Sequence, residues 1–441
     1  MYKIQKKFLE FYDRIKLNDQ DKNELRNKRD ILLNYLKNHL DIPFESFYQG
    51  SYSMHIGVKP IKGHDYDIDI GLVFKAETLN EKQINNAFKI KEKIALCLDH
   101  YQRKVKIKEP CVTVQYTLEG NNRYHVDFAV YKEKNNSYYL ARGKDNENYS
   151  WEKSDPKKLK ENIIIINKDI SREARDQYRR CICYLKRWKQ LKLNHKNFPS
   201  IALAIIAHKI SIKEDDADID VLLKFLKKIK NDIHHKTLLF PYYPYNNLFE
   251  KLSDNQSLEF EKKIGLLIED LNRINADDIS ESEACDVMRK HFGCDFPIGI
   301  SNRKYNNTEQ FIENMYNISD LKNIIISRKI LNYKNHDVSQ LWKDKILSGI
   351  YHLCFKVENV HDFRGNTCFF WKVRNVGAKA ETLNDIRGQI LKRGIQIDEY
   401  SKFQGNHYIE CYAIKNDVCI GIGSINVVIG PCQCMKKSLK T

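Results

Sequence analysis

Three observations predict an α+β chain of several domains. Residues 65–74, DYDIDIGLVF, alternate polar with apolar side chains at a period of two, as a strand does. From Asp155-Pro156 to about residue 298 the apolar residues recur at helical spacing. From about residue 341 short β-like runs return. A length of 441 residues suits two or three domains. The 42% hydrophobic and 11% aromatic content supplies a core and excludes a disordered chain. No window approaches the roughly 20 apolar residues of a membrane span. The N-terminal run MYKIQKKFLEFYDRIKL alternates charge too tightly for a signal peptide, so a cytoplasmic protein with no membrane partner is expected.

The elements follow in chain order. Residues 4–40 carry Phe8, Phe11, Ile15, Leu25, Ile31, Leu32, Tyr35 and Leu36 at helical spacing, with a break at Asn18-Asp19 and a stop at Pro43. The strand at 65–74 comes next, then a helix over 84–100. Val112–Tyr116 and Tyr124–Tyr131 predict two strands joined across Glu119-Gly120-Asn121-Asn122. Ala174, Tyr178, Ile182 and Leu185 form one apolar helix stripe. Pro199-Ser200 opens another helix, with the proline at the cap or first turn. Asp232–Tyr245 reads as a loop, and 302–325 as a connector ending in a short helix. Beyond it, Tyr351–Val357, Phe369–Arg374, Tyr408–Lys415 and Val418–Ile429 predict strands, interrupted by a helix near 380–393 that contains Gly388. The expected divisions are 1–155, 156–300, a connector at 301–340, a β-rich domain at 341–430, and a basic tail at 431–441.

The twelve cysteines are spread through a chain with no export signal, so free, buried thiols are expected. The pairs Cys181/Cys183 and Cys432/Cys434 have no second pair at zinc-finger spacing. A formal charge of +16, from 74 Lys+Arg and 58 Asp+Glu, predicts a polyanionic partner such as nucleic acid, nucleotide or acidic lipid. A lysine-rich solvated surface gives the same number.

The chemistry concentrates in three carboxylates. Asp67 and Asp69 stand two apart on one strand and so share a face; Ile68, Ile70 and Leu72 take the other. Asp127, in HVDFAV, points away from Val126, Phe128 and Val130. Two neighbouring strands would join the three on one polar face. Unpaired, they would repel and shift toward protonation; divalent cations with oxygen ligands would resolve that conflict. Three acids on half-exposed strands are the plain alternative. Upstream, Gln49-Gly50-Ser51-Tyr52-Ser53 is a Gly-Ser turn entering a helix, which would present N–H groups and a hydroxyl to a phosphate.

The stretch QGSYSMHIGVKPIKGHDYDIDIGLVF, followed by YHVDFAVY, resembles the polymerase-β-type nucleotidyltransferases. Within them it resembles the bacterial CD-NTases, relatives of cyclic GMP–AMP synthase and oligoadenylate synthase in anti-phage signalling. WEKSDP, YLKRWK, FPSIAL and HFGCDFP add supporting matches, so the resemblance spans about residues 1–298. It implies a nucleotidyltransferase core with a mixed sheet and a helical second lobe. It also implies two Mg2+ ions, with Mn2+ an alternative, held by Asp67, Asp69 and Asp127. Gly50, Ser51, Lys186 and Ser200 would hold the donor triphosphate, with Arg175, Arg179 and Arg187 adding charge nearby. His55-Ile56 stands where relatives commonly have Gly-Thr, and Asp65 shares the parity of the pair. The implied substrates are NTPs, ATP and GTP first, joined into a cyclic or linear oligonucleotide messenger read by a separate effector protein. Transfer to an RNA 3′ end or a protein, or a non-catalytic nucleotide- or RNA-binding module, would use the same residues.

FFWKVRNVGAKAETLNDIRGQI and GNHYIECYAI resemble the C-terminal sensor domains fused to such synthases. The resemblance implies a regulatory ligand. Trp371, Arg374, Asn375 and Arg387 are candidates for its pocket, against a reading of Trp371 as sandwich core and of Asn375-x-Gly377 as a turn.

Overall fold

The computed structural model describes residues 4–430 apart from 100–102, 117–123, 157, 159–169, 194–197, 214–215, 242–244, 277–278, 333, 342–345 and 348–350. Cys432/Cys434 and the turn at 119–122 lie outside the described residues. The ten cysteines among the described residues are unpaired thiols.

Helix α1 (Gln5–Ile15) and helix α2 (Asp19–His39) divide where the sequence predicts. The side chain of Asn18 accepts from the Asp21 amide and that of Asp21 from the Asn18 amide, a reciprocal cap that stops one helix and starts the next. The two then part company. Leu25, Leu32 and Leu36 of α2 pack on the sheet that follows in the chain. Phe8 and Phe11 of α1 instead join the helical lobe, where Phe11 stacks on Tyr184 with centroids 5.3 Å apart. The first helix thus belongs to the second lobe, contrary to the expected 1–155 division. Apolar burial decides this, at on the order of 1.5–3 kcal/mol for each large side chain.

Strand β1 (Glu45–Gln49), helix α3 (Gly50–Ser53) and strand β2 (Tyr66–Lys75) follow. The helix expected over 84–100 is two, α4 (Glu81–Asn85) and α5 (Ala87–Leu98), because Asn86 ends one and caps the next. Strands β3 (Arg103–Ile107), β4 (Val112–Tyr116), β5 (Tyr124–Lys134), β6 (Ser137–Gly143) and β7 (Tyr149–Ser154) complete the sheet. Its order is β1-β2-β5-β4-β3, with β6 and β7 continuing from β5. The β2–β5 pair is parallel and the other pairs are antiparallel, so the sheet is mixed.

The helical lobe comprises α6 (Arg172–Lys192), α7 (Ile201–Ala207), α8 (Asp218–His234), α9 (Asp254–Ala276) and α10 (Glu281–Phe292). Tyr178, Ile182 and Leu185 of α6 are buried, as the stripe predicts. Ser200 is the cap residue of α7, which puts Pro199 one place before the expected position. Helix α8 runs to His234, so the loop begins later than Asp232.

The C-terminal domain begins earlier than expected. After α11 (Ile312–Met315), the segment read as a connector supplies β8 (Asn317–Asn323) and β9 (Ile326–Leu331). Then come β10 (Ile346–Leu347), β11 (His352–Val357), β12 (Cys368–Arg374), α12 (Ala378–Thr382), β13 (Arg387–Lys392), β14 (Gln396–Tyr400), β15 (Gly405–Lys415) and β16 (Val418–Gly430). A six-stranded sheet, β10-β16-β15-β12-β13 with β8 along β16, faces a three-stranded sheet, β14-β11-β9. The predicted helix at 380–393 stops at Thr382. Arg387 (φ 61°) and Gly388 (φ 116°) are left-handed in succession, which no α-helix accepts, and β13 starts there instead.

A buried ion network ties this domain to the helical lobe. Arg374 Nη2 lies 2.9 Å from Asp286 Oδ1 of α10, and Arg374 itself is fully buried. Lys372 Nζ is 3.0 Å from Glu309 Oε1, and Glu309 also takes Arg289 of α10 at 3.0 Å. Lys192 of α6 meets Glu410 of β15 at 3.0 Å. The surrounding cations hold the carboxyls of Glu309 and Glu410 down at about 2 despite burial. Asp286 moves the other way: burial outweighs Arg374 and holds it up at about 6. Arg374→Met should cost about 3–5 kcal/mol in urea unfolding, because it strands buried carboxylates; a loss under about 1 kcal/mol would show the network to be neutral. Glu410 stabilises the fold above its unfolded value of about 4.3 and loses that contribution as pH falls through about 2. Glu410→Gln should therefore flatten the melting temperature against pH across that interval.

Candidate active site

The site is built by pairing two strands in register. Parallel β2 and β5 place Asp69 opposite Asp127 and Asp67 opposite His125. Neighbouring strands lie about 4.8 Å apart, so side chains on the same face are forced together. Ile68, Ile70, Val126 and Phe128 bury the opposite face and fix that register. A slip of one residue would turn the acids into the core.

The resulting electrostatics are severe. Burial, with Asp67 and Asp127 alongside, raises the Asp69 carboxyl well above the usual range. His125 Nε2 lies 3.1 Å from Asp67 Oδ1, and Nδ1 lies 3.6 Å from Asp65 Oδ2. Burial lowers the imidazole's pKa, but the hydrogen bond and charge of Asp67 prevail and lift it to about 9. Thr113 Oγ1 donates to Asp127 Oδ1 at 2.5 Å, and Lys108 Nζ stands 3.6 Å from Asp127 Oδ2. Ligand atoms of Asp67, His125 and Asp127 all fall within 4.8 Å of one another. A hard divalent cation fits this oxygen-rich set: it would relieve the crowding that protons relieve otherwise.

Gly50 closes on the cluster from the end of β1, which pairs Gln49 with Asp69. Its φ is 65°, and a Cβ there would sit 1.8 Å from Asp69 Oδ2. Only glycine allows the chain to turn this close to the carboxylate. Ser51 then faces a cleft of about 640 Å³, lined also by Asp65, Asp67, His125, Lys186 and Ser200. Lys186 Nζ donates to the Ile56 carbonyl at 2.8 Å, which ties α6 to the loop after the Gly-Ser turn. Behind Ser200, Lys189 Nζ donates to Ser200 Oγ at 3.0 Å and to the Phe198 carbonyl at 2.5 Å. Burial and nearby Lys186 pull Lys189 down to about 7. Asn317, Ile318, Ser319 and Val418 of the C-terminal domain form the remaining wall. His64 Nε2 bonds to the Ile318 carbonyl at 2.9 Å across that boundary.

Residues 45–131 match the family described as "Cyclic GMP-AMP synthase DncV-like, nucleotidyltransferase domain", and residues 306–430 match "Adenylyl/Guanylyl and SMODS C-terminal sensor domain". The first match contains Gly50, Asp67, Asp69 and Asp127. Residues 45–131 thus read as a DncV-like nucleotidyltransferase domain and residues 306–430 as a C-terminal sensor domain. A relative from Escherichia albertii, named cyclic GMP-AMP synthase, is 26% identical over 94% of this chain and 92% of its own. The DncV cyclic AMP-GMP synthase of Vibrio cholerae shares the fold at a TM-score of 0.53 and 16% identity, covering 66% of this chain and 96% of that one. The CdnC protein of E. coli MS115-1, solved with a HORMA partner, matches at a TM-score of 0.50 and 13% identity, covering 66% of this chain and 98% of that one.

Of the residues singled out by the sequence, Asp67, Ser51, Lys186 and Ser200 line the cleft, while Asp69 and Asp127 face each other across the β2–β5 pair and Gly50 closes on Asp69. The three arginines do not line it. Arg187 pairs with Asp295 at 3.3 Å, Arg179 with Asp176 at 3.0 Å, and Arg175 donates to the Ile170 carbonyl at 3.1 Å. Of the sensor-pocket candidates, Trp371 is core and donates to the Gly394 carbonyl at 2.7 Å, while Arg374 is spent on the ion network. Asn375 and Arg387 do line a cavity, but Arg387 already holds Glu399 bidentately at 2.7 and 2.9 Å. His125, Thr113 and Lys189 join the site without belonging to the motifs that point to it. His125 shares the parity of Asp127 in HVDFAV, so its face was open to inference. Gly50→Ala should cut nucleotidyl transfer by about 100-fold or more through displaced carboxylates. The melting temperature should also fall, because alanine is strained at a φ of 65°; equal turnover in the folded variant would separate Gly50 from the site.

Proposed function

We propose that this chain is a divalent-cation-dependent synthase that joins NTPs into a cyclic oligonucleotide messenger with release of pyrophosphate. The observation that carries the reading is the register of β2 and β5, which sets Asp67, Asp69 and Asp127 beside the Gly50-Ser51 turn and under Lys186. Two Mg2+ ions, or Mn2+, held by the three aspartates would neutralise charge on the reacting phosphates. The ribose hydroxyl of an acceptor attacks the α-phosphorus of the donor; the bond to the bridging β-phosphate oxygen breaks, and pyrophosphate departs. Asp127, held by Thr113 and Lys108, orients that hydroxyl and draws its proton. The backbone at Gly50-Ser51 and the Ser51 hydroxyl receive the triphosphate, with Lys186 and Ser200 gripping it from the helical lobe. Lys189 fixes the Ser200 hydroxyl.

The relatives favour purine NTPs and a small product. One is named a cyclic GMP-AMP synthase, and the Vibrio cholerae DncV has been solved with the linear intermediate 5′-pppA(3′,5′)pG. A messenger needs a separate effector, and anti-phage signalling is the setting we assign to it.

The test incubates purified protein with labelled ATP, GTP, CTP and UTP plus Mg2+ or Mn2+, without RNA, and resolves products by thin-layer chromatography and mass spectrometry. Phosphatase-resistant small products and pyrophosphate are expected, with Asp127→Asn reducing turnover by about 10³ while NTP binding persists. Products found only as extended RNA 3′ ends or nucleotidylated protein would replace the messenger reading. Undiminished turnover in Asp127→Asn would overturn the assigned site.

A further inference from the structure

A second cavity, about 180 Å³ and open to solvent, lies on the seam between the helical lobe and the sensor domain. The helical lobe contributes Lys192, Lys262, Lys263 and Lys290, from three helices, against a single lining carboxylate, Glu259. The sensor domain contributes Ser424 and Asn426, which carry hydroxyl and amide groups, with apolar Ile324, Ile422 and Ile425 beside them. Three of the four lysines are held in place. Lys192 is fixed by Glu410 at 3.0 Å, Lys263 by Glu259 at 2.6 Å, and Lys290 by Asp270 and by Asn426 Oδ1 at 2.9 Å. Each ammonium has three donors, so fixed lysines retain capacity for a phosphate. The buried carboxylates offset much of the charge, which suits a ligand with one phosphate rather than a long polyanion.

Three of the elements that line this cavity also line the catalytic cleft. Helix α6 sends Lys186 and Gln190 to the cleft and Trp188 and Lys192 to the seam. Strand β8 begins at the cleft with Asn317–Ser319 and ends at the seam with Asn323. Strand β16 does the same, from Val418 to Asn426. These two strands pair in parallel, so they shift together.

We propose that the seam cavity binds a mononucleotide, phosphate on the lysines and base on the isoleucines, and that occupancy sets the position of the β8–β16 wall of the catalytic cleft. This places the sensor ligand between lobes rather than in the Asn375–Arg387 cavity. Its effect on synthesis rests on the function proposed above; its binding does not.

The experiment titrates AMP by calorimetry in EDTA, which withholds divalent cations from the catalytic cleft, and maps amide hydrogen exchange. Saturable binding is expected, with slowed exchange at 422–426 and at 317–319. Lys262 and Ser424 are exposed. Lys262→Glu/Ser424→Asp should keep the wild-type circular dichroism and weaken AMP by about tenfold or more; Ser424→Asp alone should show a smaller loss in the same direction. Absence of saturable binding, undiminished affinity in both variants, or protection centred on 50–53 and 125–127 would each overturn the proposal. Seam protection without a change at 317–319 would overturn the coupling. Because no turnover is read, failure here is distinct from failure of the synthase reading.

Discussion

Charge crowding at the β2–β5 pair is the constraint from which the catalytic arrangement follows. Parallel pairing in register sets Asp69 against Asp127, with Asp67 one pleat away. The fold holds this arrangement against repulsion because the same strands bury Ile68, Ile70, Val126 and Phe128 on the other face. The raised Asp69 carboxyl and the raised His125 imidazole are two expressions of one unmet demand for positive charge. A nucleotide-handling centre of this kind stores electrostatic strain in a sheet too well packed to relax it.

The surroundings answer that constraint from three directions. The Gly50 turn approaches without a side chain. Helix α6 brings Lys186 and the Lys189–Ser200 pair from the helical lobe. The sensor domain supplies the far wall and is anchored by Arg374, Lys372 and Glu410 in a buried ion network. The third domain is therefore a structural part of the cleft and not a tethered accessory.

What could be read from the chain depended on periodicity. The alternation DYDIDIGLVF exposed β2 and the face of its acids, and HVDFAV did the same for β5. Contacts between segments remote in sequence were invisible: nothing in α1 says that Phe8 and Phe11 skip the adjoining sheet for Tyr184. Strands β8 and β9 hid in a polar, Asn-rich stretch because few of their residues are buried, and in β8 the left-handed Asp320 breaks the alternation between Ile318 and Leu321. The 380–393 error came from backbone sign. Leu383, Ile386 and Ile390 mimic a helix stripe, while the left-handed conformations at Asn384 and Arg387 leave little trace in composition. Arg374 looked like a ligand-binding residue because its buried partners, Asp286 and Glu309, lie far upstream.

The placement of α1 bears on how the polypeptide is made. Its aromatic face is completed by Tyr184, Phe292 and Phe296. During vectorial synthesis the catalytic sheet can emerge from the ribosome and close while α1 still waits for partners nearly three hundred residues behind it. The nascent N-terminus therefore carries an unsheltered aromatic stripe for most of translation. Its docking is the late event that clasps the two lobes around the cleft.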